Sequence, residues 1–153
     1  MTRTAPQGIS FDYGHIEPVF VSFDDLDSMG IVHNTRYAVI VERALTAYWD
    51  GLGYTYANRT VGHPDASIAV VEFSIKYKMP VSATGTVGVH FWTTRIGSTS
   101  VSYGYRVQSV DGATAHAEGQ RVHVRFDPAT MRPTPWQDDT RATYESLSGP
   151  AAD

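Results

Sequence analysis

The chain has 153 residues, 42% hydrophobic and 18% charged, with a formal net charge of -4 at pH 7 and no cysteine. This is the balance of a folded chain able to bury well over half of its unfolded surface, and the acidic excess gives no basic face for nucleic acid. The lack of cysteine excludes a disulfide framework, a thiolate zinc site and a cysteine nucleophile together.

No apolar run reaches the roughly 18 residues of a membrane span. The start, MTRTAPQGIS, has no signal-peptide core, so the expected location is cytoplasmic. One domain over residues 1–153 is expected, with a core from about 16 to 127, a flexible N-terminal lead-in and a C-terminal extension. The lead-in runs to about Ile16 and carries Pro6, Gly8 and Gly14.

Val19 to Phe23 is β-branched and aromatic, a predicted first strand. Asp24 to Gly30 breaks that pattern as a loop, in which Asp24 and Asp25 are expected to be solvated or bonded within the loop. Asn34 is a suitable helix N-cap. From Tyr37 the apolar residues Val41, Ala44, Leu45, Tyr48 and Leu52 recur at helical spacing, and Gly51 and Gly53 supply the stop. A carboxylate-bearing loop thus runs into a helix N-terminus, whose free N–H groups and positive dipole end favour developing negative charge.

An irregular connection is predicted from Tyr54 to Asp65, and four strand-like runs follow it. In the first, Ala69, Val71, Phe73, Ile75, Tyr77 and Met79 alternate with polar residues until Pro80. The second spans Thr86 to Arg95, and Gly97-Ser98 turns it into the third, Val101 to Val110. Asp111-Gly112 is a hairpin signal leading into the fourth, Ala113 to Phe126. A weak helix is predicted from about Gln137 to Leu147. Strand, long helix, then an antiparallel meander is a two-layer α+β arrangement. Gly88, Gly104 and Gly119 inside the strands point to curvature or close backbone approach. A sheet wrapped round its helix, with leftover surface paired to a second subunit, satisfies these features.

This element order resembles the hotdog fold. FDDLDSMGIVHNTRY, Phe23 to Tyr37, resembles the signature of the 4-hydroxybenzoyl-CoA thioesterase-like acyl-CoA thioesterases. Glu42-Arg43 resembles the acidic-basic pair carried on their helix, and FSIKYKMP their second-strand pattern. The resemblance implies an acyl thioesterase acting on an acyl-CoA or acyl-carrier-protein thioester without a cofactor or metal. It implies a homodimer or homotetramer, with the pantetheine arm lying between subunits. By position, Asp27 matches the catalytic aspartate. Asn34 lies where a backbone N–H at the helix start polarises the thioester carbonyl. Several relatives carry a histidine at the Asn34 position and a tyrosine at the Phe23 position.

Two roles are open to Asp27: nucleophile forming a mixed anhydride, or general base for water. Its bland alternative is a turn-capping loop aspartate. His33 is a further catalytic candidate, able to orient Asp27 or to contact substrate. Gly30, Ile31, Val32, Tyr37 and His63 are candidate substrate-binding residues. Arg95, Arg106, Arg125 and Arg132 are candidate contacts for CoA phosphates. The histidines show no metal-ligand spacing; His116 and His123 sit on one strand. A non-catalytic acyl-binding or scaffold protein of the same fold is the alternative of a different class. A hydratase-type hotdog enzyme is a third, and the aspartate at this loop position argues against it.

Overall fold

A computed structural model describes residues 3–4 and 10–151 of the chain. Five strands form one antiparallel sheet: β1 (His15–Val21), β2 (Ile68–Tyr77), β3 (Gly85–Ile96), β4 (Ser100–Gln108) and β5 (Ala115–Asp127). Their order across the sheet is β1-β3-β4-β5-β2, and Arg132–Pro133 adds a short pairing at the end of β5. The sheet curls around a single long helix, α1 (Tyr37–Asp50), and a shorter α2 (Asp138–Ser146) follows the meander. This is the expected α+β hotdog arrangement.

The core sits between α1 and the concave face. Tyr37, Ile40, Val41, Ala44, Leu45 and Tyr48 form the buried stripe of α1. Val87, Val89, Phe91, Val101, Tyr103, Tyr105 and Val107 meet it from β3 and β4. Burying such side chains contributes about 1.5–3 kcal/mol each, which is what holds helix to sheet. Leu52, expected on the stripe, lies past the Gly51 cap and is exposed, while Ile40 takes a core place.

The first strand begins earlier than expected, at His15, and ends at Val21; Phe23 opens a 3-10 turn, Phe23–Asp25. The lead-in is structured close to it. Ser10–Phe11 pairs with Arg3–Thr4, and the Phe11 and Tyr13 rings pack on His90 of the convex face. The rest of that lead-in, residues 1–2 and 5–9, lies outside the described residues. The predicted connection from Tyr54 to Asp65 contains a small hairpin, Tyr56–Ala57 with Thr60–Val61, and a 3-10 turn, Pro64–Ala66.

The clean alternation expected of β2 does not survive folding. A register shift between Val70 and Glu72 rotates the strand's first half, so Val71 is exposed while Ile68, Phe73 and Ile75 pack on the core. The strand glycines act through close approach. A Cβ at Gly104 would sit 2.6 Å from the Trp92 indole, and one at Gly119 would overlap the Ser74 carbonyl.

Candidate active site

The loop before α1 is built by its own backbone. Asp27 N–H donates to the Ile31 carbonyl at 2.8 Å and Gly30 N–H to the Asp27 carbonyl at 3.0 Å, with Gly30 at φ 77°, where a side chain would be strained. Val32 N–H donates to the Val81 carbonyl at 2.9 Å, fastening the loop to the segment after β2. One carboxylate oxygen of Asp27 accepts from Met29 N–H at 2.8 Å and from Ile31 N–H at 3.4 Å. Among the described residues nothing engages its other oxygen. The turn-capping role and an available carboxylate oxygen coexist in one side chain.

The expected cap is corrected by the structure. His33, not Asn34, caps the turn: its Nδ1 accepts from Thr35 N–H at 3.1 Å and contacts the Thr35 hydroxyl at 2.8 Å. Asn34 opens the 3-10 turn Asn34–Arg36 that runs into α1, and its carbonyl accepts from the Tyr77 hydroxyl at 3.0 Å. Among the described residues no acceptor engages the Asn34 N–H, as first-turn geometry leaves it.

Asp27, Ile31, Val32, Asn34 and Tyr37 line one groove of about 260 Å³. Its far wall is Tyr77, Lys78, Met79 and Pro80, together with His116 of β5. Gly30 shapes the loop without lining the groove, and exposed His33 is occupied with Thr35. His63 is not brought to this place. Its ring stacks on Tyr54 with centroids 4.1 Å apart, and its two nitrogens engage Asp139 at 2.8 Å and Asp65 N–H at 3.0 Å.

Two features of the site were not read from the chain. His116 enters the groove because Lys78 and Met79 N–H groups both bond its carbonyl, while its Nδ1 bonds the Met79 carbonyl at 2.8 Å. A carbonyl only accepts, so Nδ1 is the donor in that bond. No local spacing announces such a cross-strand neighbour.

Asp25 was expected to be solvated or loop-bonded, and it is instead buried. Its side chain is fully enclosed and pairs with Arg36 at 2.9 Å and Arg43 at 3.1 Å. Burial opposes its ionisation, but hydrogen bonds from Arg43, Ser22 N–H and Arg36 outweigh it and hold the carboxyl below its ordinary range. The Glu42-Arg43 pair is split accordingly, since Glu42 reaches Arg121 at 3.3 Å.

Asp27, with one carboxylate oxygen unengaged among the described residues, and Asn34, with its N–H unengaged at the start of a 3-10 turn, line the same groove. A carboxylate and an N–H donor are the kinds of group that hydrolysis at a carbonyl calls for. The family model described as "Thioesterase-like superfamily" matches residues 21–143. This chain belongs to that superfamily. It is a thioester hydrolase. YneP of Bacillus subtilis (strain 168), whose name marks it as a candidate acyl-CoA thioesterase, is 27% identical over 128 residues, covering 82% of this chain and 91% of YneP. Among solved structures, the PA5185 protein of Pseudomonas aeruginosa PAO1 superposes with a TM-score of 0.78 at 23% identity, over 98% of this chain and 99% of that one. A Thermus thermophilus thioesterase complexed with coenzyme A and Zn superposes with a TM-score of 0.71 at 23% identity, over 92% and 98%. These two likenesses speak to the fold.

The phosphate-binding candidates fare unevenly in this thioesterase. Arg125 is committed to buried Asp65 at 2.6 Å and to the Pro135 carbonyl, and Arg106 donates to the Gly112 carbonyl at 3.3 Å. Arg95 and Arg132 remain on the exposed surface.

Proposed function

We propose that this cytoplasmic enzyme, with the whole chain as one catalytic unit, hydrolyses an acyl-CoA thioester in the Asp27 groove. The arrangement that supports the reading is the divided engagement of Asp27: one oxygen accepts from its own loop, the other has no partner among the described residues, and Asp27 and Asn34 line the same groove. As nucleophile, that oxygen bonds to the thioester carbon, the thiolate leaves, and water then opens the mixed anhydride. As base, it takes a proton from water, whose oxygen adds to the same carbon, and the resulting tetrahedral adduct expels the thiolate to leave the free acid. In either course the carbonyl oxygen becomes an oxyanion, and the Asn34 N–H is the donor for it, a kind of contact worth about 2.7–4 kcal/mol. Ile31, Val32 and Tyr37 give the acyl group an apolar wall. Gly30 lets the loop close. His33 acts by capping the turn that presents Asn34, and His63, held by Asp139, has no part in this reading.

A second copy of the chain would fit at the edge of β2, which among the described residues pairs only with β5 and exposes Val70, Val71 and Tyr77. The groove borders that edge through Tyr77, so a dimer joined there would hold the pantetheine arm between subunits.

The test is thiol release over short, medium, long and aromatic acyl-CoAs and one carrier-protein thioester, with wild type and Asp27→Asn. Turnover of an acyl-CoA that collapses in the variant supports the proposal, and the best substrate assigns the acyl class. Turnover confined to the carrier-protein thioester moves the substrate to that class. Binding without turnover on any member overturns hydrolysis in favour of an acyl-binding protein, the reading suggested by asparagine and phenylalanine where relatives carry histidine and tyrosine.

A further inference from the structure

A second cavity lies under the middle and C-terminal half of α1 and shares no lining residue with the Asp27 groove. It measures about 480 Å³, a size that takes small organic ligands. Trp49, Tyr54, Tyr103 and Tyr144 give it an aromatic wall, and two polar side chains of β5, Arg121 and His123, open into it. Both are buried, at 4% and 6% exposure.

Arg121 is poorly served for a buried cation. A guanidinium has five N–H donors and cannot shed its charge. Nε donates to His123 Nε2 at 2.8 Å; the terminal nitrogens reach Glu42 at 3.3 Å and the Ala38 carbonyl only at 3.5 Å. Glu42 is its one anionic partner among the described residues, and that carboxylate is 60% exposed. Glu42 can be hydrated when it turns outward, so an anion entering the cavity can take its place on Arg121. His123 brings no compensating charge. Burial, then the Arg121 charge, lowers its pKa to about 3, so it is neutral at pH 7. Because its Nε2 accepts from Arg121, its proton is on Nδ1, and among the described residues no acceptor engages that proton.

The chemistry selects the ligand. The lining also carries Asp50 and Asp65, the latter held by Arg125, so Arg121 is the cation left to meet a ligand, and its fork suits a planar carboxylate, which takes two parallel N–H bonds. The aromatic wall suits a ring. We propose that this cavity binds a small aromatic or cyclic carboxylic acid as the free acid, its carboxylate replacing Glu42 on Arg121 and its ring lying against the aromatic wall. Acids are what thioester hydrolysis releases, yet the inference does not depend on Asp27 or on the identity of the hydrolysed substrate.

The experiment is calorimetric titration of the full chain with benzoate, cyclohexanecarboxylate and the uncharged analogue benzamide, paralleled by tryptophan fluorescence, since Trp49 lines the cavity. Wild type should bind the two acids at least about tenfold more tightly than the amide. Arg121→Met should lose that preference. Glu42→Gln, read on protein shown to be folded by circular dichroism, removes the competing carboxylate and should tighten acid binding about threefold or more. Asp27→Asn should bind the acids as wild type does. The inference is overturned if neither acid binds wild type, if benzamide binds as well as benzoate, or if Glu42→Gln leaves acid affinity unchanged. A change of affinity in Asp27→Asn overturns it equally, because it would put the acid in the groove.

Discussion

Asp25 and Asp27 stand two residues apart on one loop, yet the two sides of that loop do opposite things with a carboxylate. On the inner side, Asp25 is sealed from water and held by Arg36, Arg43 and the Ser22 N–H. On the outer side, Asp27 meets, among the described residues, the N–H groups of its own turn through one oxygen, and its other oxygen is unengaged. A buried carboxylate satisfied by cations is a fastening, expensive to break and chemically quiet. A half-exposed one with an unspent lone pair costs little to keep and is ready to react. The same residue type is fully engaged or left with an unengaged oxygen according to what its neighbours have already taken.

The sharpest separation of the two sides comes from Asp27→Asn. Asparagine retains the oxygen that accepts from Met29, so stability should change by no more than about 0.5 kcal/mol. Turnover, measured by thiol release, should fall at least about a hundredfold, near 2.7 kcal/mol of barrier. Equal turnover in the variant would make Asp27 a fastening like its neighbour.

Asp25→Asn should show the reverse. Removing the charge strands two arginines, although both are about one-third exposed and find some water. Denaturant unfolding should report a loss of about 2 kcal/mol, with turnover per folded molecule reduced only a few-fold. Abolished turnover in a variant that remains folded would show that the two sides cannot be separated.

Acid distinguishes these fastenings from the buried histidine. The unfolded chain protonates His123 near its ordinary pKa of 6.5, whereas the folded chain does not until about 3. The unfolded state therefore binds more protons across that window, and stability falls as pH drops from 6.5 towards 3. The lowered Asp25 pKa acts later: its contribution is complete above 3.8 and is lost below. Melting temperatures from pH 7 to 4.5 should decline in wild type and decline less steeply in His123→Asn. An unchanged slope would remove His123 as the cause.

The smallest effect is expected from Tyr77→Phe. It deletes the hydroxyl bonded to the Asn34 carbonyl, a contact worth about 0.5–1.5 kcal/mol. A few-fold loss in kcat with little change in Tm would place that bond in the service of the helix start.

Much of the groove side of the loop was legible because it is local. Asp27, Gly30, the helix start and the Gly51 stop lie within one short stretch, where spacing and backbone preference act on near neighbours. The helix stripe and the meander were legible for the same reason, and the family resemblance rested on this stretch. One local choice failed: Asn34 suits a cap, but His33 reaches Thr35 first. The other failures are what two distant segments decide together. Val71 alternates correctly until the register shift turns it outward. Asp25 looks like any loop carboxylate until Arg43, eighteen positions on, closes over it.

The sequence by itself determined the α+β class, the single wrapped helix and the loop bearing Asp27, since periodicity, turn residues and end signals are short-range properties of the chain. Only the tertiary structure decided that Asp25 is buried, that His116 joins the groove, and that Arg121 and His123 open into a cavity beneath the helix. Those outcomes depend on strand register and on the sheet's curl. A charged side chain's fate is set by the partners that arrive across space, and no interval along the chain encodes them.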